Sequence, residues 1–553
     1  MNEKNYWNDR YWPRVMTRRL SRRRLIQIGT LSAAGIAGAA YLGCGGGEEA
    51  VSPGGATTAP AGTPQPGGRI VWLSGSALSS LDPAYMALGH DKYAVQNVYE
   101  WPVCYDIDAD GKIILAFVLA ESMEWVDLTH LNLKFRTGIK FHDGTDFNAA
   151  AVKYQVDRVK DPATKATRGG ELANIDHVEQ VDENSLTYVM KKPDATAILG
   201  LRGWGSCIPS PTAVEKYGDD FANHPVGTGA FVFDRQEAGA SYEFKKNPNY
   251  WRPGEPFLDG FGIKVISDKA VAAAAFSAGE VDGTWGDMVA APDTLRFQKD
   301  PNFDVRVGSA GGIKRIFLHK GREPFNNIHL RKAVSYAINR QEIVDAHDGL
   351  AFVTPSPLPR GSLFDDPTQA DPEYDPEKAA AELKAAGFED GVTIPLTVTT
   401  DPIDQSDAEL MMAHLAKVGI KVELDSVPMT AIAAKAVQGQ FSALYMNFPS
   451  DIGAIEYSIR EIYWSQGVFN PGMTVDADLD AAFEKAQLEV DPELRKRYYQ
   501  QVQKISMEGV YEIPVIALAS ILITRSRTHG WISVDEPGGG PLECCFRNVW
   551  VSG

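Results

Sequence analysis

Strand and helix periodicities alternate along this chain from Arg69 onward with no low-complexity break, and that alternation is the strongest constraint on its fold. Leu131, Leu133 and Phe135 alternate with Asn132, Lys134 and Arg136, the period-two pattern of a half-buried strand. Ile394, Leu396 and Val398 repeat it. Helical signals lie between such strands. In Asp375-Pro376-Glu377 the Asp can cap a first turn and the Pro fits inside it. Ala379, Leu383 and Ala386 then share a face, and Gly387 can end the helix. Asp491-Pro492 starts another, with Leu494, Tyr498, Val502 and Ile505 on one stripe. No repeat of fixed period is present. The expectation is an α/β body, and 553 residues suffice for about two to four domains.

The first 43 residues are set apart from that body. They carry a net charge of +6, whereas the whole chain carries -18, so the remainder carries -24. Residues 17–27 are basic and residues 28–43 are an uncharged run rich in Ala, Gly, Leu and Ile. A basic head before a short, weakly apolar stretch is the layout of an export signal, not of a membrane-spanning helix. Ser21-Arg22-Arg23-Arg24-Leu25-Ile26 resembles a twin-arginine signal, with Arg22 and Arg23 as the pair; a Sec signal with an extended basic head is the other reading. The apolar run ends at Tyr41-Leu42-Gly43-Cys44, which resembles the cleavage box of bacterial lipoproteins, where the Cys thiol is lipidated. Tyr41 departs from the usual Leu. A Gly, Pro, Thr and Ala tract follows to Gly68, a composition that cannot bury apolar surface and serves as a tether. The expected segments are a signal at 1–43 and a lipidated Cys44 with its tether at 44–68. After residue 45 no stretch is apolar for the roughly 20 residues a spanning helix needs. An acidic body also repels nucleic acid, so no nucleic-acid partner is expected.

Five segments then occur in a fixed order. They are Asn97-Val98-Tyr99-Glu100 leading to Leu119-Ala120-Glu121-Ser122; Leu133-Lys134-Phe135-Arg136-Thr137-Gly138-Ile139-Lys140-Phe141-His142-Asp143-Gly144 before a helix from Asn148; Pro225-Val226-Gly227-Thr228-Gly229 with Lys246-Asn247-Pro248-Asn249-Tyr250-Trp251; Pro324-Phe325-Asn326-Asn327 with Leu330-Arg331-Lys332-Ala333-Val334; and Tyr374-Asp375-Pro376-Glu377-Lys378-Ala379 up to Ala386-Gly387-Phe388. Together they resemble the family 5 extracellular solute-binding proteins, the oligopeptide, dipeptide and nickel receptors of ABC importers, over roughly residues 69–530. The segments themselves have structural explanations. His142-Asp143-Gly144 suits a turn between strand and helix, and Gly227-Thr228-Gly229 a close backbone approach in the sheet.

The resemblance implies a two-lobed periplasmic-binding-protein fold of type II, in the large three-subdomain class, with two hinge crossovers. Lobe I would comprise residues 69–311 with 516–553 and lobe II residues 312–515, the crossings lying in the apolar runs 313–318 and 513–523. It further implies a monomeric receptor that captures a small solute between the lobes, outside the cytoplasm and tethered by its N-terminal lipid, and passes it to permease and ATPase subunits. In peptide-binding relatives a lobe II aspartate after an aromatic holds the ligand's ammonium. Here Asn447-Phe448-Pro449-Ser450-Asp451 occupies that place, which makes Asp451 the leading contact and Phe448 its stacking neighbour. The family often continues with Asp-Pro; this chain has Ile452-Gly453-Ala454. Trp285, Trp204, Tyr463 and Trp464 are further candidate walls, since aromatic rings give large contact area for little entropy.

Enzyme signatures are missing from the sequence: there is no G-x-S-x-G, no H-E-x-x-H and no complete phosphate loop. The ten histidines are scattered, and no metal site or cofactor is expected. A lipid-anchored hydrolase is the alternative from another class, and a ligand sensor without its own permease the alternative on the same fold. Cys104, Cys207, Cys544 and Cys545 allow three disulfide pairings outside the cytoplasm. Replacing Cys44 by Ser is expected to release the protein from membranes, and replacing Arg22 and Arg23 by Lys to block export if the twin-arginine route is used; cell fractionation reads both.

Overall fold

The apolar run Glu512–Arg525, EIPVIALASILITR, is buried along almost its whole length and forms the inner strand on which both ends of a large sheet are hung. The computed structural model describes residues 63–553 apart from 88, 108–112, 287, 359–363, 449–458, 461, 466, 468–469, 471–474, 532–544 and 553. Arg22, Arg23, Cys44, Asp451 and Cys544 therefore lie outside the described residues.

In chain order the strands are β1 (Arg69–Ser74), β2 (Val103–Ile107), β3 (Ile113–Phe117), β4 (Ala120–Asp127), β5 (His130–Phe135), β6 (Ile175–Gln180), β7 (Ser185–Met190), β8 (Phe231–Glu237), β9 (Ser241–Lys246), β10 (Gly260–Val265), β11 (Gly283–Trp285), β12 (Phe303–Leu318), β13 (Ala351–Phe352), β14 (Val392–Thr399), β15 (Ile420–Val427), β16 (Ala443–Phe448) and β17 (Glu512–Arg525). The main sheet runs β15-β14-β16-β12-β17-β11-β1-β10-β9-β8, with β13 also on β17. A separate antiparallel sheet has the order β4-β5-β7-β6.

Two stretches of this sheet are α/β halves joined through β12 and β17. Alternation along each strand feeds cores on both faces, as a covered parallel sheet requires. In the first half Ile70 and Trp72 of β1 enter a core with Tyr93, Phe244 and Phe261, while Leu73 enters another with Phe276, Phe297 and Ile523. In the second half Ile316 of β12 packs with Leu396, Val398 and Val515, and the next residue, Phe317, with Tyr463, Phe483 and Val502. The crossing strands are longer than the apolar runs at 313–318 and 513–523. Residues 303–308 are only half-buried, so their hydrophobic signal is weaker, yet they pair with β17 from Phe303↔Arg525 to Gly308↔Ser520.

Local chemistry explains the helix boundaries. Asp375 Oδ1 accepts from Lys378 N (2.9 Å) at the start of the helix Pro376–Ala385, and Gly387 follows its end at φ 86°. Asp491 caps the helix Pro492–Glu508 in the same way. The inward stripe of that helix differs from expectation at its start. Leu494 is exposed, and Tyr499, Val502, Gln503 and Ser506 fill the buried face. Cys104, Cys207 and Cys545 are thiols, so no disulfide joins them.

The recurrent segments meet one another in the first half. Buried Glu100 accepts from Thr228 Oγ1 (2.9 Å), Tyr250 OH (2.8 Å) and Trp251 Nε1 (2.8 Å), tying both stretches of the third segment to the first. Burial raises its pKa in spite of those donors. Gly227 and Gly229 do permit a close approach, but to the end of the helix Lys92–Val98 and not to a strand. A Cβ on Gly227 would lie 2.2 Å from Val98 O, and one on Gly229 2.5 Å from Asn97 O. His142 closes the same junction: Nε2 donates to Gly229 O (2.9 Å) and Nδ1 accepts from Gly227 N (3.4 Å). Gly144, at φ 86°, makes the turn after it.

Both ring nitrogens of His142 are thus used by the neutral imidazole. Burial lowers its pKa to about 4, below the ordinary value of about 6.5. Its contribution to stability is complete above the unfolded value and is lost as pH falls from about 6.5 through about 4. Thermal melts across that range should show His142→Gln less stable than wild type at pH 7, with the gap shrinking as pH falls.

Candidate functional site

Strand direction sets where a ligand can lie. β1 runs parallel to β10 and β11, and β11 runs antiparallel to β17 with Trp285 opposite Leu522. The carboxyl ends of these first-half strands therefore point along β17 toward residues 518–521, and Gly286 N donates to Ile521 O (2.8 Å). In the second half β14 runs parallel to β15 and β16, and β16 runs antiparallel to β12 with Phe448 opposite Ile313. Their carboxyl ends point along β12 toward residues 308–312. Those two stretches are partners: Gly308 lies opposite Ser520 and Gly312 opposite Leu518, with an irregularity between. Open α/β sheets bind ligands outside the carboxyl ends of their strands. Here two sets of carboxyl ends face one crossing zone.

The first-half wall of this zone is built around Trp285, whose Nε1 donates to Ser520 Oγ (2.9 Å) on the crossing strand. The Lys92 ammonium sits 3.7 Å from the centre of its ring. The loop before Lys92 is held by buried Asp91, which accepts from Ser79 N (2.6 Å), Ala87 N (3.0 Å) and the Ser79 hydroxyl. Ser76 Oγ lies 2.6 Å from His90 Nδ1. Trp204 is linked to that loop through Arg168. Arg168 stacks over its ring at 4.4 Å and donates from Nε to Met86 O (2.8 Å), at the base of that loop.

In the second half β16 ends at Phe448, whose side chain lies outside the described set. Behind it Lys314 binds Asp404 Oδ1 and Asp407 Oδ2, each at 2.8 Å, and Asp407 also meets Tyr445 OH and His347 Nε2, each at 2.8 Å. Burial alone would lower the Lys314 pKa, but the two carboxylates outweigh it and raise it. Tyr463 is placed in the core, 2% exposed, beside the buried Arg315–Glu512 pair; burial and the Glu512 carboxylate raise its pKa. In this conformation its ring does not line the crossing zone. Trp464 is half-buried at the edge of the same core, with Lys192 5.4 Å and Arg460 5.6 Å from its ring.

Lys192 leads to a second meeting of the halves. Ala195 N donates to Gln487 O (2.7 Å), and Gln487 Nε2 donates back to Asp194 Oδ2 (2.9 Å). Asp194 is almost fully buried and also accepts from Asn174 Nδ2 and from Thr196. The segment after β7 is thereby clasped to the helix Ala477–Leu488. Sequence reasoning did not reach Lys92, Ser520, Asp194 or Gln487. Only the weak Asp194-Ala195-Thr196 capping pattern marks the clasp in the sequence, and it occurs at many turns.

Two α/β halves, two paired crossing strands and a ligand zone between their carboxyl ends define a type II periplasmic binding protein. The chain belongs to the bacterial extracellular solute-binding proteins, family 5, whose middle-region profile matches residues 116–469. The glutathione-binding protein GsiB of Escherichia coli strain K12 is 29% identical over 480 residues, covering 84% of this chain and 92% of that protein. Among solved structures, DppA of Helicobacter pylori, an ABC transporter-associated periplasmic binding protein in complex with the peptide STSA, superposes with a TM-score of 0.75 at 22% identity over 88% of this chain and 99% of that one. NikA of Brucella suis in complex with Fe(III)-EDTA gives 0.75 at 22% identity over 88% and 100%. The family is one of solute-binding receptors. Among the described residues no helix is long and apolar enough to cross a membrane.

Gln487→Ala removes the side-chain half of the clasp and leaves the crossing strands untouched. A hydrogen bond to a buried carboxylate contributes about 1.5–3 kcal/mol. Small-angle scattering should show the variant more extended than wild type, and amide exchange should rise in residues 192–196 and 484–488 while β12 and β17 stay protected.

Proposed function

We propose that this protein is the receptor of an ABC-type importer: it captures a small solute, peptide-like or otherwise amine-bearing, between its halves and delivers it to permease and ATPase subunits. The observation that carries the reading is the convergence of both sets of strand carboxyl ends on the Gly308–Ser520 and Gly312–Leu518 pairs. A ligand bridging that zone stabilises the closed arrangement by its differential affinity for it, and closure is the signal a permease can read. The lobes are residues 69–311 with 516–553 and residues 312–515. Support for that division comes from the cores, since Ile513 and Val515 pack in the second half and Ala519, Ile521 and Ile523 in the first, with Ile516, the first residue past the division, still in the second-half core. Cys44 carries the lipid that anchors the receptor outside the cytoplasmic membrane, and residues 45–68 give it reach. The protein turns nothing over.

Asp451 follows the carboxyl end of β16 by three residues and supplies the charge for the amine, with Phe448 beside it. Trp285 and Trp204 line the facing wall, and Trp464 the rim. The relatives support the class of ligand: one is named for glutathione and another holds a tetrapeptide. The test is a thermal-shift panel of amino acids, short peptides, polyamines and sugars, followed by calorimetry on the hits. An amine-bearing solute should bind, and Asp451→Asn should weaken it about ten- to hundredfold, the loss of a charge-assisted hydrogen bond. A ligand without a positive group, or equal affinity in the variant, overturns the assignment of Asp451. Reproducible turnover by purified protein, lost on substituting Trp285, overturns the receptor reading.

A further inference from the structure

Lys92 is a cation without a carboxylate. It is half-buried, its ammonium lies 3.7 Å from the Trp285 ring centre and 5.9 Å from that of Tyr93, and it makes no ion pair among the described residues. The acid next to it is not available. Asp91 is fully buried and its oxygens are occupied by Ser79 and Ala87, so it shapes the loop and does not answer the lysine. By contrast Arg158 is answered by Asp82 at 2.5 Å and Arg168 by Glu171 at 3.7 Å. The chain carries a net charge of -18, so carboxylates are plentiful, yet none of those described pairs with Lys92. An indole face answers a cation only in part, by less than full desolvation of the ion costs. Lys92 is therefore incomplete when the halves close over it.

Its location is fixed by the fold. The platform beneath it, Trp285, is pinned to Ser520 of β17, opposite Gly308 of β12, so the ammonium stands at the crossing zone where the strand ends converge. We infer that Lys92 is the anion-recognising residue of the ligand site: it takes a carboxylate of the bound solute, with the Trp285 ring packed against the atoms next to that carboxylate. This rests on the receptor reading proposed above and narrows it. If the solute is amine-bearing, as proposed above, a carboxylate taken by Lys92 makes the ligand a zwitterion. Amino-acid derivatives and short peptides with a free carboxyl end fit; polyamines and purely cationic complexes do not. A charged hydrogen bond to a planar carboxylate also explains why a lysine, a mobile point charge, stands on a ring held in place: the ring restricts the stem and leaves the ammonium to reach.

The test uses the full chain, stripped of bound solute, with glutathione, trialanine and trialanine amide as probes in calorimetry. Wild type should bind at least one of the two free acids, and should bind trialanine at least tenfold more tightly than its amide. Lys92→Met keeps the stem on the ring and removes the charge. It should weaken the free acids about ten- to hundredfold, leave the amide unchanged and so abolish the preference. Lys92→Arg should restore it, and both variants should melt as wild type does, which separates recognition from folding. Equal binding of acid and amide by wild type, or undiminished acid binding by Lys92→Met, overturns the inference, as does binding of none of the three probes. The receptor reading fails separately, if no solute of the wider thermal-shift panel binds.

Discussion

The antiparallel pairing of β12 with β17 is the constraint from which the rest of this structure follows. It runs from Phe303↔Arg525 to Phe317↔Glu512 and is the contact through which the main sheet continues from one half to the other. Two strands crossing side by side restrict relative motion to bending and twisting about their own direction. Their register is fixed chemically as well as by apolar burial. Arg315 and Glu512, both nearly inaccessible, pair at 3.0 Å across the two strands, and Lys314 turns the other way to Asp404 and Asp407. Desolvating such ions costs as much as their attraction returns, so they add little net stability. A slip of one residue would leave each of them buried and alone, a cost of several kcal/mol, and that asymmetry specifies the register.

Much of the fold was legible because its determinants are local. Asp375-Pro376 and Asp491-Pro492 begin helices through contacts with residues two or three positions on, and the alternation in β5 and β14 is a property of single strands. The failures were non-local. Leu494 satisfies the helical spacing but meets solvent, because the neighbouring helix Ala477–Leu488 covers a face centred on Val502. Gly227 and Gly229 read as sheet glycines, yet the backbone that needs their missing side chains belongs to a helix end some 130 residues earlier in the chain. The first three family segments hold the first half together around Glu100 and His142, and the last two supply Phe325, Leu330 and Ala379 to the second-half core, which is why they reveal the architecture and say nothing of the ligand.

The binding zone was less legible for the same reason. Composition marks aromatic residues as candidate walls without distinguishing a wall from a core. Trp285 stands at a strand end, whereas Tyr463, of equal promise in the sequence, is packed beside Arg315 and Glu512. Lys92 carries no sequence signal, since it matters only through Trp285, nearly two hundred residues away, and through the commitment of Asp91 to its own loop. Charges become informative when their partners can be counted, and partners are a property of the folded chain.

The clasp at Gln487 has a consequence for how the halves separate. Its hydrogen bonds are short-ranged: a displacement of an ångström or two breaks them, after which water serves Asp194 and Ala195 equally well. The bending of β12 and β17 is, by contrast, gradual and yields over several ångströms. A soft spring in parallel with a brittle contact puts a threshold before the halves can part, in place of a continuum of openings. The halves at this point are then either clasped or parted, and one residue's amide group takes part in deciding which.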